Sequence, residues 1–73
     1  MRQKYDGLAK RIKDTRQKCK LSQLQLARLT DLSNATICKI EHDKSAPHKY
    51  TINIIAEKLG VTPDYLKYGE VDD

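Results

Sequence analysis

Phenylalanine and tryptophan are absent from this 73-residue chain, whose aromatic side chains are four tyrosines. A core without large rings must be built from Leu, Ile, Val and Ala, and with 38% hydrophobic residues it is small. A cofactor or substrate cavity of roughly 300 Å³ or more would consume most of that core, so neither catalysis nor a small-molecule ligand is expected. No apolar run approaches the roughly 18 residues of a membrane span, and no signal-peptide stretch follows the basic N-terminus. These absences predict a cytoplasmic protein without a membrane association. Cysteine is scarce too. Cys19 and Cys38 form no C-x-x-C pair, which argues against a disulfide framework or a zinc ribbon, and both are expected to be reduced and mostly buried. Alternating apolar and polar stretches between turn residues are also missing, so strands are not expected.

What is present is charge, unevenly spread. The formal net charge is +4. Residues 1 to 20 carry eight basic groups against Asp6 and Asp14, a local net of +6, whereas residues 53 to 73 carry two basic and five acidic groups, a net of −3. Such a dipolar chain suits a protein that turns one face toward a polyanion, although on charge alone a solvated helix face is the favoured reading. The length allows one domain, taken as residues 1–69, with 70–73 as a frayed acidic tail.

Apolar periodicity predicts five short helices and an all-α fold. Leu8, Ile12, Thr15 and Cys19 recur at helical spacing and mark helix one from Leu8 to Cys19. Ser22 with Gln25 three positions on is a capping box that opens helix two, about Gln23 to Thr30, with Leu26, Ala27 and Leu29 or Thr30 facing inward. Asp31, Leu32 and Ser33 form a tight connection in which Asp31 tolerates a left-handed backbone and Ser33 caps helix three, roughly Asn34 to His42. Only Ile37 and Ile40 are strongly apolar there, so most of that helix faces outward. Helix four, Thr51 to Leu59, buries Ile52, Ile55, Ala56 and Leu59 and ends at Gly60. Thr62, Pro63 and Asp64 then start a short fifth helix that ends at Gly69.

Two short helices joined by three residues, the first with a small Ala27 at its centre and the second polar outside, fit a helix-turn-helix. Around them stand Leu21-Ser22-Gln23, Leu26-Ala27, Leu32-Ser33, Ile37, Ile40-Glu41, Lys44, Pro47, Thr51, Ala56-Glu57, Leu59-Gly60-Val61 and Asp64-Tyr65-Leu66. This set resembles the lambda-repressor/Cro-like helix-turn-helix family, also called the XRE family, from about Leu8 to Tyr68. The resemblance implies a compact five-helix DNA-binding domain with its helix-turn-helix at helices two and three. The chain departs from the family where Gly is common, with Lys20, Asp31 and Asp43 instead, and has Lys49 where an apolar residue is frequent. Lys enters a left-handed backbone less readily than Asp, so the end of helix one is expected to be built differently.

Carried onto this chain, the resemblance implies base reading by Asn34, Ala35, Thr36 and Lys39 on the exposed face of helix three. An amide such as Asn34 can pair with adenine, Lys39 with guanine, and Ala35 or the Thr36 methyl can touch a thymine methyl. Ser22 and Gln23, with the helix N-terminus behind them, and Lys44, Ser45 and Lys49 would hold phosphates. Arg16 and Glu41 match a pair that joins helix one to the end of helix three. Val61, Tyr65, Leu66 and Tyr68 offer more apolar surface than a short helix needs and are taken as a homodimer interface, the alternative being that Leu66 and one Tyr finish the core. Cys38, His42 and His48 have ligand chemistry but lack a fourth partner, so no metal is expected, and no cofactor. The function implied is a sequence-specific repressor-like regulator of transcription that reads a palindromic operator in double-stranded DNA. The alternative is a protein-interaction module, such as an antitoxin or antirepressor partner, on the same scaffold.

Overall fold

The computed structural model describes residues 5–69, and the 70–73 tail lies outside them. Five helices follow one another: α1 (Leu8–Lys18), α2 (Gln23–Thr30), α3 (Asn34–Glu41), α4 (Lys49–Leu59) and α5 (Pro63–Tyr68). Among the described residues there is no strand, and no helix is long and apolar enough to cross a membrane. The fold is all-α, as the periodicity requires. One cluster holds it together, with Leu8, Ile12, Leu26, Ile37, Ile40, Ile52, Ile55 and Leu66 fully buried. At about 25 cal/mol per Å² of apolar surface removed from water, each of these branched side chains contributes roughly 1.5 to 3 kcal/mol.

Helix starts follow the capping residues. Ser22, Ser33 and Thr62 each accept a hydrogen bond from the amide three residues on, and at Ser22 the reciprocal bond from its own amide to Gln25 completes the box. α4 begins two residues earlier than the periodicity indicated, at Lys49, because His48 takes the extended cap conformation without a side-chain cap bond. Periodicity reports only where apolar contact starts, and Lys49 and Tyr50 are exposed.

Helix ends share one device. Lys20, Asp31, Asp43 and Gly60 have φ between 59° and 77°, in the left-handed region. After each, the next amide bonds back across the last turn: Leu21 to the Arg16 carbonyl (3.1 Å), Leu32 to Ala27 (2.9 Å), Lys44 to Lys39 (2.9 Å) and Val61 to Ala56 (3.0 Å). Leu21, Leu32 and Val61 also pack against the core, and this contact offsets the strain of the preceding residue. The expectation that Lys20 would force a different ending to α1 is therefore corrected: Lys20 occupies the glycine conformation.

Two further expectations are corrected, and one alternative is decided. Cys19 caps the end of α1 and is exposed, and Cys38 is only half-buried, because both fall off the buried stripe of their helices. Arg16 instead completes the inner face of α1, beside Thr15. On α2 Thr30 is buried and Leu29 is 47% exposed, since the Thr30 hydroxyl donates to the Leu26 carbonyl at 2.8 Å and so can enter the core satisfied.

Candidate nucleic-acid interface

α3 owes its presentation to an unequal division of its surface. Ile37, Ile40 and Glu41 face inward, while Asn34, Ala35, Lys39 and the cap residue His42 are exposed. Ala35, Lys39 and His42 are four and three apart and share one side of the helix, and Asn34 precedes them at its first position. Thr36 is half-buried, and its hydroxyl lies 2.8 Å from Ser33 Oγ, which already accepts from the Thr36 amide. The Thr36 hydroxyl thus helps to fix the start of α3, a role the sequence did not reveal. His42 Nδ1 lies 2.8 Å from the Cys38 carbonyl oxygen and 3.5 Å from Cys38 Sγ. Cys38, Lys39, His42 and Lys44 line an open cleft of about 220 Å³ at this end of the helix.

The start of α2 lies beside α3. Ser22 is exposed and its hydroxyl is committed to the Gln25 amide at 3.0 Å, while the Gln25 carboxamide oxygen accepts from the Ser22 amide at 2.8 Å. The box satisfies two of the first-turn donors and leaves the amides of Gln23 and Leu24 outside it. Gln23 is half-buried, and its Nε2 donates to Glu41 Oε1 at 3.1 Å. Lys44 and Lys49 are exposed, and Ser45 is half-buried in the loop between α3 and α4.

Arg16 and Glu41 meet as the family resemblance implied, in a buried two-pronged pair. Arg16 Nε donates to Glu41 Oε2 at 2.7 Å and Nη2 donates to Oε1 at 3.0 Å, with side chains only 9% and 1% exposed. The third guanidinium nitrogen donates to the Leu21 carbonyl at 2.7 Å, so one cation joins α1, α3 and the residue preceding the α2 cap. A fork of donors on a planar carboxylate is the geometry in which Arg outperforms Lys.

Basic groups on α1 sit close by. Lys10 and Lys13, with His42 and Asp43, line an open groove of about 390 Å³ between α1 and the end of α3. Lys10 is held 2.8 Å from Asp14, and that hydrogen bond keeps the Asp14 carboxyl below its usual range and the Lys10 ammonium above its own. Arg2 and Lys4 of the basic N-terminal segment lie outside the described residues.

A helix-turn-helix family model matches residues 12–66, which spans all of α2 and α3. The chain belongs to this family, HTH_3. Among HTH_3-like solved structures, it is similar to the P22 c2 repressor protein crystallised with synthetic operator 9T. Identity is 28% over 86% of this chain and 96% of that one, with a TM-score of 0.82. The solution structure of the P22 c2 repressor DNA-binding domain is 26% identical over 99% of this chain and 92% of that one, with a TM-score of 0.83. An HTH_3 family transcriptional regulator from Vibrio cholerae is 30% identical, with a TM-score of 0.76; the match covers 81% of this chain and 33% of the regulator. No curated protein matches the chain.

The residues taken as a dimer interface divide. Leu66 is fully buried and belongs to the core, so it is removed from the interface set; Val61 and Tyr65 are half-buried, and Tyr68 is 65% exposed. Tyr68 meets Tyr5 edge to face, ring centroids 5.5 Å apart, and the Lys67 ammonium lies 5.7 Å from the Tyr5 ring. Sequence reasoning missed Arg11 altogether. Its guanidinium donates to the carbonyls of Asp6 (2.5 Å), Leu66 (2.8 Å) and Lys67 (2.6 Å), tying the start of α1 to the end of α5. Those partners are backbone atoms, for which a sequence carries no pairing signal.

Proposed function

We propose that this HTH_3 chain is a DNA-binding transcriptional regulator of the repressor type, working in the cytoplasm by binding and not by catalysis. The observation that carries the proposal is the exposed side of α3, with Asn34, Ala35 and Lys39 outward over a buried Ile37 and Ile40, next to the unspent amides at the start of α2. A short polar helix anchored on one stripe can enter the major groove, about 12 Å wide, while the neighbouring helix end takes a phosphate. Family membership and likeness to the P22 c2 repressor support the same reading.

In this proposal Asn34, Ala35, Thr36 and Lys39 read base edges, while Ser22, Gln23, Lys44, Ser45 and Lys49 hold the backbone. Two copies, paired through Val61, Tyr65 and Tyr68, read a palindromic operator. The test is selection of bound sites from a random duplex library, followed by titration of the selected site at two salt concentrations. An enriched palindrome is expected, with affinity falling by several orders of magnitude as salt rises fourfold, because each phosphate contact releases counterions. Recovery of no preferred sequence, or affinity indifferent to salt, would refute the proposal.

A further inference from the structure

We infer that Glu41, neutralised by Arg16, is a positioning residue for Gln23, holding its carboxamide ready for a phosphate before any DNA arrives. The inference rests on the DNA-binding reading above and adds a mechanism to it.

A carboxylate only accepts hydrogen bonds, so Glu41 Oε1 at 3.1 Å from Gln23 Nε2 fixes which end of the amide faces inward. Nε2 carries two hydrogens. One is spent on Glu41, and the other, with the backbone amides of Gln23 and Leu24, remains a donor at the start of α2. A phosphate oxygen also only accepts, and an amide turned the other way would present its own oxygen. Glu41 excludes that orientation. A bare carboxylate near a phosphate would repel it, but Arg16 contacts both Glu41 oxygens, at 2.7 and 3.0 Å, and cancels the charge. The same guanidinium holds the Leu21 carbonyl at 2.7 Å, directly before the α2 cap. Side chain and helix end are therefore fixed by one group, and a Gln ordered in advance loses less freedom on contact.

The experiment compares Gln23→Ala in two backgrounds, the native chain and a paired apolar replacement, Arg16→Met with Glu41→Leu. Removing both charges of a buried pair together is tolerated far better than removing one. Binding is measured on the selected duplex and on an unrelated one. In the native background Gln23→Ala is expected to cost roughly tenfold on both duplexes, as for a hydrogen bond to a charged group. In the apolar background, where Gln23 is no longer anchored, it should cost less than about twofold. A purely structural pair would alter melting but leave the Gln23→Ala loss equal in both backgrounds, and equal losses overturn the inference. Should the apolar replacement fail to fold, nitrogen-15 NMR of the native chain without DNA decides. Resolved, slowly exchanging side-chain amide protons at Gln23 support the inference, and a freely rotating amide overturns it. A native chain that binds neither duplex refutes the DNA-binding reading itself, a result that the comparison between backgrounds cannot mimic.

Discussion

Among the described residues neither the Asn34 nor the Lys39 side chain has a partner that would explain its identity, and both are exposed on a helix that buries Ile37 and Ile40 on its other side. Side chains in such positions are free to make contacts outside the fold. On the proposed reading each pairs with a base, so Asn34→Ala or Lys39→Ala should cost about 1 to 3 kcal/mol on the selected operator and relax discrimination at one base-pair position. Gln23→Ala should instead weaken all sequences alike. Competition binding against single-position operator variants checks this, and a uniform loss from all three substitutions would remove α3 from the reading role. The exposed set was legible in the sequence because exposure follows from what Ile37 and Ile40 leave over. The bond from Gln23 to Glu41 was not, since the two are 18 positions apart and only the meeting of α2 with α3 joins them.

The helices themselves were legible where their punctuation is local. Ser22 with Gln25, Ser33, Thr62 with Pro63, and Gly60 mark boundaries that the structure reproduces, because a cap is a contact between residues three or four apart. Misreadings fell where tertiary contact decided the outcome. Cys19 and Cys38 were expected inside, yet one is exposed and the other half-buried, and the choice between Leu29 and Thr30 was settled only by the bond that the Thr30 hydroxyl makes to the Leu26 carbonyl. Lys20 was misjudged for a similar reason: a left-handed backbone costs an ordinary side chain roughly 1 to 2 kcal/mol, but the amide of Leu21 and its apolar side chain lock the turn from beyond. Lys20→Gly should therefore stabilise the domain. The gain is expected to be about 0.5 to 1 kcal/mol after the flexibility of Gly in the unfolded chain is counted. Calorimetry would register it as a rise in Tm of several degrees for a domain of this size, and a lowered Tm would contradict the account. Arg16→Ala should act in the opposite direction, destabilising by about 3 to 5 kcal/mol, because Glu41 would keep a buried and uncompensated charge. A denaturant midpoint unchanged by Arg16→Ala would contradict that.

On the proposed reading each copy brings one reading helix, α3, to the DNA and therefore reads a few base pairs, too little to distinguish an operator from the many competing sites of a genome. Doubling by symmetry solves this: two copies about a two-fold axis would set their α3 helices about 34 Å apart, one turn of DNA, and require a palindrome. On the proposed reading the surface best suited to the pairing is the α5 end, where Tyr68 is 65% exposed against Tyr5, with Val61 and Tyr65 half-buried on the same segment. Arg11 ties that end to the start of α1, and Gly7 and Gly69 make room for it: a Cβ at Gly7 would come within 2.6 Å of the Arg11 guanidinium. With Leu66 assigned to the core, Tyr68 is the substitution that separates interface from stability. Tyr68→Asp should leave the melting temperature nearly unchanged, since its ring is mostly in solvent, yet abolish cooperative operator binding by burying a charge between the copies. In analytical ultracentrifugation the native chain should sediment as a species of twice 8.4 kDa and the variant as the monomer. Equal monomer masses for both, at concentrations where the native chain binds its operator cooperatively, would exclude this face as the dimer contact.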